Sequence, residues 1–208
     1  MRYLMLDLYA GLGGACQAML NDEKWDVLQF DNNPNLIEHN PELIMMDISN
    51  KYNMLMYLND IDFYDYDKIL IWASPPCLEF SYAYNSPRSI AQREGRKYEP
   101  DLTLMLNAKW IIDVVSKAHP NVTWVIENVR GAINDFTPWL GNFKQSVANF
   151  FLWGNFATLQ IDDATLRHVK PDKRHSPIRA NIRAKVPLGL SQSIKKSVET
   201  QQRITSYR

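Results

Sequence analysis

The sequence predicts an α/β fold: a doubly wound, largely parallel sheet with helices on both faces, followed by a small basic C-terminal region. Three observations predict it. Compact apolar runs alternate with helix-like segments through the first 130 residues, the pattern of strands joined by crossover helices. The apolar runs end in glycine, proline or acidic turns, as buried strands do. The chain has 208 residues, 46% of them hydrophobic and 12% aromatic, enough for a sizeable core without disulfides or metals.

Each element follows in order. Tyr3–Leu8 reads as a first buried strand, and Gly14–Leu20 continues as a short helix. Trp25–Phe30 is a second strand, closed by Asp31-Asn32-Asn33-Pro34, with Pro34 opening another helix. Leu43–Met46 is a short third strand and Tyr52–Leu58 a helix. Lys68–Ala73 is a fourth strand, ending in Ser74-Pro75-Pro76-Cys77. Residues 78–100 are polar and basic without a lasting period, which reads as a long loop. Leu102–Lys117 is an amphipathic helix that feeds a fifth strand at Val122–Ile126. Past Gly131 the pattern weakens: Phe150–Leu159 holds one or two strands, 160–180 is loop-like, and Leu190–Val198 is a helix. The division expected is a core over 1–135 and a recognition region over 136–208, whose last helix packs back on the core.

Composition excludes several classes. No run of eighteen apolar residues exists, so no membrane-spanning helix is expected. Met1–Leu8 is interrupted by Asp7 and followed by a glycine loop, which favours a core strand over a leader segment. Cys16 and Cys77 are the only cysteines, too few for a disulfide framework or a four-cysteine zinc site. They point to a reducing, cytoplasmic setting. His168 and His175 lie among cations without a ligand set and read as surface residues, so no metal is expected. The formal net charge is +0, yet residues 1–85 carry four Lys/Arg against thirteen Asp/Glu. Residues 164–208 reverse this, with eleven cations and two acids. A polyanion against the basic half is the natural partner, with a solvated basic surface as the plain alternative.

Three motifs carry chemistry. Asp7-Leu8-Tyr9-Ala10-Gly11-Leu12-Gly13-Gly14 stands at a strand-to-helix turn, on the sheet edge where such folds bind ligands. Its G-x-G-G spacing is neither the dinucleotide fingerprint nor a phosphate loop, so a nucleoside without a pyrophosphate fits better. Asp31 ends the second strand, where a carboxylate can accept from ribose hydroxyls. Asp47-Ile48 ends the third, where an acid can take an adenine amino group and an apolar neighbour can cover the ring. Each acid alone is more often a turn or helix cap; three successive strands ending this way favour an adenosyl site. The second motif is Ser74-Pro75-Pro76-Cys77-Leu78-Glu79-Phe80-Ser81. A lone cysteine is usually a small buried hydrophobe, as Cys16 is expected to be. One presented by a stiff turn at the ligand edge is a nucleophile candidate. The third, Trp124-Val125-Ile126-Glu127-Asn128-Val129, brings a carboxylate beside that turn. Thiol and acid in one pocket suggest covalent catalysis assisted by protonation.

DLYAGLGG, SPPCxxFS and ENV, in that order and spacing, resemble the cytosine-C5 DNA methyltransferase family. The resemblance covers residues 3–130 well and the remainder loosely, and is greatest to short virus-encoded or prophage-type members. It implies a Rossmann-like methyltransferase fold and S-adenosylmethionine as cofactor. The cofactor would be held by Asp7, Tyr9, Ala10, Gly11, Leu12, Gly13, Gly14, Asp31, Asn32, Asp47, Ile48, Ser74 and Pro76. The resemblance further implies that Cys77 adds to C6 of a cytosine turned out of the stack. Glu127 would hold and protonate N3, and Asn128 would set the Cys77 loop. DNA is the implied partner, met by Ser81, Arg88, Arg93, Arg96, Lys97 and Arg179, whereas monomer or homodimer is left open.

The sequence departs from the family in four places. Tyr9 replaces the usual Phe, Leu78 replaces the usual Gln, and the family's Gln-x-Arg-x-Arg element is reduced to Arg179 and Arg183 spaced by four. Arg183 is the residue assigned to support the target-base pocket. About fifty residues separate Glu127-Asn128 from Arg179, little room for a domain that reads sequence. RNA in place of DNA, an amino-methyltransferase, a catalytically silent binding protein and a plain α/β domain are the alternatives. An amino-methyltransferase would carry an aromatic residue where Cys77 stands, and a binding protein needs neither Cys77 nor Glu127. The short interval predicts relaxed recognition of a di- to tetranucleotide. Bisulfite sequencing of plasmid DNA exposed to the enzyme checks this, and a strict site of six or more bases would refute it.

Overall fold

The computed structural model describes residues 1–161, 166 and 176–201. Seven strands form one sheet: β1 (Tyr3–Leu8), β2 (Trp25–Asp31), β3 (Leu43–Met45), β4 (Lys68–Ala73), β5 (Val122–Asn128), β6 (Gln145–Val147) and β7 (Phe150–Gly154). Their order is β3-β2-β1-β4-β5-β7-β6. β1 to β5 run parallel, β7 is antiparallel to β5, and β6 pairs antiparallel with β7. The fold is therefore a doubly wound, Rossmann-like α/β sheet. The chain moves outward from β1 through β3 and returns to β4, which places the switch point between β1 and β4.

Strand alternation divides the core. On one face Leu4, Leu6 and Leu8 of β1 join Ile69 and Ile71 of β4 and Ile126 of β5. They pack against α1 (Lys51–Asn59), α3 (Thr103–Ala118) and α4 (Ile133–Leu140), through Met54, Met105, Ile111 and Phe136. On the other face Tyr3, Met5, Leu70, Trp72 and Val125 meet Ala15, Cys16 and Met19. The same cluster takes Leu190, Ile194 and Val198 of α6 (Leu188–Thr200). Two shorter helices complete the described chain, α2 (Pro87–Arg93) and α5 (Arg179–Ala184). Among the described residues no helix is long and apolar enough to cross a membrane.

Three expectations are corrected. Gly14–Leu20 is a run of turns and not a helix. Ser191 of α6 explains it: its hydroxyl donates to the Ala15 carbonyl at 2.6 Å and accepts from the Ala18 amide at 3.0 Å. The Met19 amide, denied Ala15, turns to Cys16 at 2.8 Å. Residues 78–100 contain α2, started by Ser86, which accepts from the Ser89 amide at 3.3 Å, and by Pro87 in the first turn. Residue 135 does not divide the molecule, because α4 crosses it and β6 and β7 extend the core sheet. The span Phe150–Leu159 holds one strand, within what the sequence allows, and its hairpin partner β6 precedes it.

One packing contact reaches the functional edge. A Cβ on Gly131 would lie 1.9 Å from the Phe80 carbonyl oxygen, so only glycine lets the turn after β5 press against the loop after Cys77. Gly141 ends α4 at φ 75° with nothing within 4 Å of a built Cβ. Gly131→Ala should therefore lower stability by about 2–3 kcal/mol through overpacking. Gly141→Ala should cost about 1 kcal/mol through backbone strain alone. Thermal melts of the two variants compare them, and equal losses would refute the Gly131 contact.

Candidate active site

The sheet's carboxyl edge delivers Cys77, Glu127 and the glycine loop to one side. Cys77 follows β4 through Pro75-Pro76, and its carbonyl accepts from the Phe80 and Ser81 amides at 3.1 and 3.0 Å, closing a tight turn. Asn128, buried at the end of β5, donates from Nδ2 to the Pro75 carbonyl at 2.9 Å. That bond ties the fifth strand to the cysteine turn and fixes the spacing of neighbouring residues 127 and 77.

Glu127 is 8% exposed. Burial pushes its carboxyl up to about 7, opposed by a hydrogen bond from Ser74. Ser74 is itself held by Trp72, whose indole Nε1 donates to Ser74 Oγ at 2.8 Å. A chain from indole to hydroxyl to carboxyl thus orients Glu127. Cys77 is partly buried, and its thiol is pushed up by burial and by the nearby Glu127 charge. The Arg183 guanidinium acts on it in the opposite sense. Arg183, exposed on α5, is thus close enough to Cys77 to favour a thiolate. Cys16 is fully buried beneath the glycine loop, as a packing cysteine should be.

The nucleoside side is built around Asp31. Its Oδ2 accepts from the Gly11 amide at 3.0 Å and its Oδ1 from the Asn33 amide at 3.0 Å. These bonds join the end of β2 to the glycine loop and leave lone pairs free on both oxygens. Asp47 accepts from the Ser49 amide and hydroxyl on Oδ1 alone. It borders an open groove of about 380 Å³ that also touches Met45, Met46, Met56 and Tyr57. Tyr9 adopts φ 61°, and its phenol donates to the Leu104 carbonyl at 2.8 Å. Burial, Asp47 and Asp31 all raise its pKa, so the three side chains converge. Free carboxylate acceptors at two strand ends beside a partly apolar groove suit a ribose and an aromatic base.

Several expected contacts fall elsewhere. Asp7 is 1% exposed, sealed under the loop beside Cys16, and burial pushes its carboxyl up to about 7. Ile48 is buried in the core, so Tyr57, Met45 and Met46 offer the apolar wall in its place. The close approach at Gly13 and Gly14 is internal. A Cβ would lie 2.6 Å from Gln29 Oε1 at Gly13 and 2.6 Å from the Val186 nitrogen at Gly14. Ala10 is buried and its amide donates to the Phe30 carbonyl at 3.0 Å. Leu12 is half-buried, while Asn32 and Pro76 are exposed at the edge.

The basic loop is largely committed to itself. Arg88 pairs with Asp135 and donates to the Gly131 carbonyl at 3.0 Å, which makes it a brace and not a phosphate contact. Arg96 pairs with Glu94 and Lys97 with Glu99. Ser81 Oγ accepts from the Ala83 amide at 3.0 Å. Arg93 and Arg179 are exposed, with no carboxylate partner among the described residues. His168 and His175 lie outside the described residues. Among the described residues no group of three or more acidic, histidine or cysteine side chains could hold a metal. Sequence reading missed Asn181, whose Nδ2 would lie 3.5 Å from a Cβ on Gly11, and the Val186 contact with Gly14. No periodic signal marks either residue.

No protein-family model matches the chain, and no curated protein matches it. Among solved structures it is similar to a methyltransferase of Entamoeba histolytica, with 12% identity and a TM-score of 0.42. The likeness covers 78% of this chain and 55% of that one, so the chain spans about half of that neighbour's length. It is a likeness of chain path alone.

The Glu127 environment has a consequence for stability. A carboxyl with a folded-state pKa near 7, against 4.5 ordinarily, favours the fold fully below about pH 4.5. That contribution is lost as pH rises toward 7, because the unfolded chain ionises first. Glu127→Gln, which cannot ionise, should gain on wild type by of order 3 kcal/mol at pH 8 and by almost nothing at pH 4. Denaturant unfolding at both pH values checks this, and a pH-independent difference would show that Glu127 ionises normally.

Proposed function

We propose that this chain transfers a methyl group from S-adenosylmethionine to C5 of cytosine in DNA, through a covalent Cys77 adduct at C6. The observation that carries the reading is the joint placement of Cys77 and Glu127, with Asn128 clamping the turn between them. A nucleophile beside a carboxyl that holds a proton near neutrality suits a ring that must be attacked and protonated together.

In this reading Asp31 and Asp47 accept from the ribose and the base of the cofactor. Tyr9 and Leu12 border its methionine part. The bound cofactor supplies an electrophilic methyl group on a sulfonium. Cys77 thiolate adds to C6 of the cytosine, and the 5,6-double bond's electrons move toward C5. Glu127 donates its proton to N3, so the ring accepts this density without building a full negative charge. C5 would take the methyl carbon as the sulfonium–methyl bond breaks and the neutral thioether of the demethylated cofactor leaves, and C5 would then lose its hydrogen as a proton to a base. The returning electrons expel Cys77 and restore the double bond, and N3 returns its proton to Glu127. Arg183 favours the thiolate by its charge, and Ser74 holds Glu127 in its orientation.

An amino-methyltransferase would need an aromatic ring where Cys77 stands, and it gives Glu127 no purpose. The test uses tritiated S-adenosylmethionine and DNA containing 5-fluorocytosine. Fluorine cannot leave as a proton does, so the enzyme should remain joined to labelled DNA on denaturing electrophoresis. Cys77→Ala should give no adduct, and Glu127→Gln should slow methyl transfer roughly 10²- to 10⁴-fold. Methyl transfer by wild type without any adduct would refute the covalent reading.

A further inference from the structure

We infer that the loop after Cys77 is a stacking platform for unpaired bases, so that the site takes cytosine in single-stranded DNA. The inference rests on the methyl-transfer reading and names its substrate. Leu78, Tyr82 and Tyr84 are 59%, 62% and 74% exposed, all within seven residues after the proposed nucleophile. Single exposed apolar residues are ordinary, but three on one short functional loop mark a contact surface.

The two rings are braced. Tyr82 sits over the turn after β5, its Cε2 being 3.1 Å from where a Gly131 Cβ would stand. The Arg88 guanidinium lies 5.6 Å from its centroid, and Arg88 is fixed in turn by Asp135 and the Gly131 carbonyl. Tyr84 is backed by Arg93, whose guanidinium lies 4.0 Å from the ring centroid and donates to the Tyr84 carbonyl at 2.6 Å. At its exposure Tyr84 keeps a face in water. A ring held by a cation behind it loses little freedom when a base stacks on that face.

The charge around the rings suits a phosphate chain. Glu79 accepts from the Tyr98 phenol and the Asp101 amide, Glu94 pairs with Arg96, and Glu99 pairs with Lys97. The loop's acids are therefore engaged locally. Arg93, and Arg179 and Arg183 of α5, have no carboxylate partner among the described residues. Exposed rings on a segment whose cations have no carboxylate partner among the described residues suit a single strand, which offers both base faces and phosphates. In a duplex the faces of the bases are already covered by their neighbours, and the cytosine must first be unpaired.

Fluorescence anisotropy of the full chain at fixed salt tests this. The probe is one labelled DNA sequence presented single-stranded, as a duplex, and as the corresponding RNA strand. Wild type should bind the DNA single strand roughly tenfold more tightly than the duplex. Tyr84→Ala should lose roughly tenfold of that affinity, Tyr84→Phe should retain it, and neither should shift thermal melting. Equal or tighter duplex binding would overturn the inference, as would tighter RNA binding. So would a Tyr84→Ala variant that melts earlier but binds unchanged. Fluorocytosine adducts measured on the same substrates separate the two readings. Single-strand preference without an adduct on any substrate supports the platform and overturns the methyl-transfer reading. An adduct on duplex alone overturns the platform and supports methyl transfer.

Discussion

Everything at the functional edge depends on β1 and β4 lying side by side while their following loops part. The two strands are hydrogen-bonded over Tyr3–Leu8 and Lys68–Ala73, yet one belongs to each half of the sheet. The chain leaving β1 turns under α6, and the chain leaving β4 turns toward β5. The gap at the switch point therefore has a glycine loop on one side and the Pro-Pro-Cys turn on the other. Neither loop could be placed by local sequence alone. Their separation is set by two strands buried along almost their whole length, whose register is fixed by side chains packed on both faces.

Three close contacts convert that placement into a defined site. Asn128 holds Pro75, Gly131 admits Phe80, and Gly14 admits Val186. The first two attach the cysteine turn to the end of β5, so thiol and carboxyl cannot drift apart without breaking a buried bond. The third seats the segment that follows Arg183 on the glycine loop. The guanidinium that acts on Cys77 and the loop that would face the cofactor are thereby parts of one packed unit. A side chain at Gly14 would press on Val186 and move Arg183 with it.

The sequence made the strands legible because each is a continuous apolar run with a clear stop. Cys77 and Glu127 were legible because strand ends in such a sheet face one edge. What escaped was decided by contacts between distant segments. The stretch after Gly14 looks helical by its spacing, but Ser191, far along the chain, takes the bonds that would have closed its turns. Asp7 looks like a ligand contact because it opens the glycine motif. Alternation along β1 turns it inward toward Cys16, which only the burial of that face reveals. The charge of the 78–100 loop was legible, yet which cations stay free was not. Arg88 is consumed by Asp135 on α4, whereas Arg93 meets a ring in place of an acid. The Ser86-Pro87 start of α2 was present in the sequence and was outweighed by the polar residues around it.

Two buried carboxyls, Asp7 and Glu127, stand on the same face of the sheet, and both are pushed up to about 7. Their surroundings separate them. Asp7 leaves one oxygen with no hydrogen-bond partner and meets a buried thiol, while Glu127 is oriented by Ser74 and faces Cys77. The Glu127 charge is one of the influences that hold the Cys77 thiol above its ordinary range. Placing a proton on Glu127 removes that repulsion. In the proposed reaction, the protonation state that lets Glu127 serve N3 is thus also the one in which Cys77 most readily becomes a thiolate. With the carboxyl poised near 7, that state is well populated at neutral pH. Acid and nucleophile are coupled through the electrostatic influence of Glu127 on Cys77, and the Asn128 clamp ties the two strand ends that carry them.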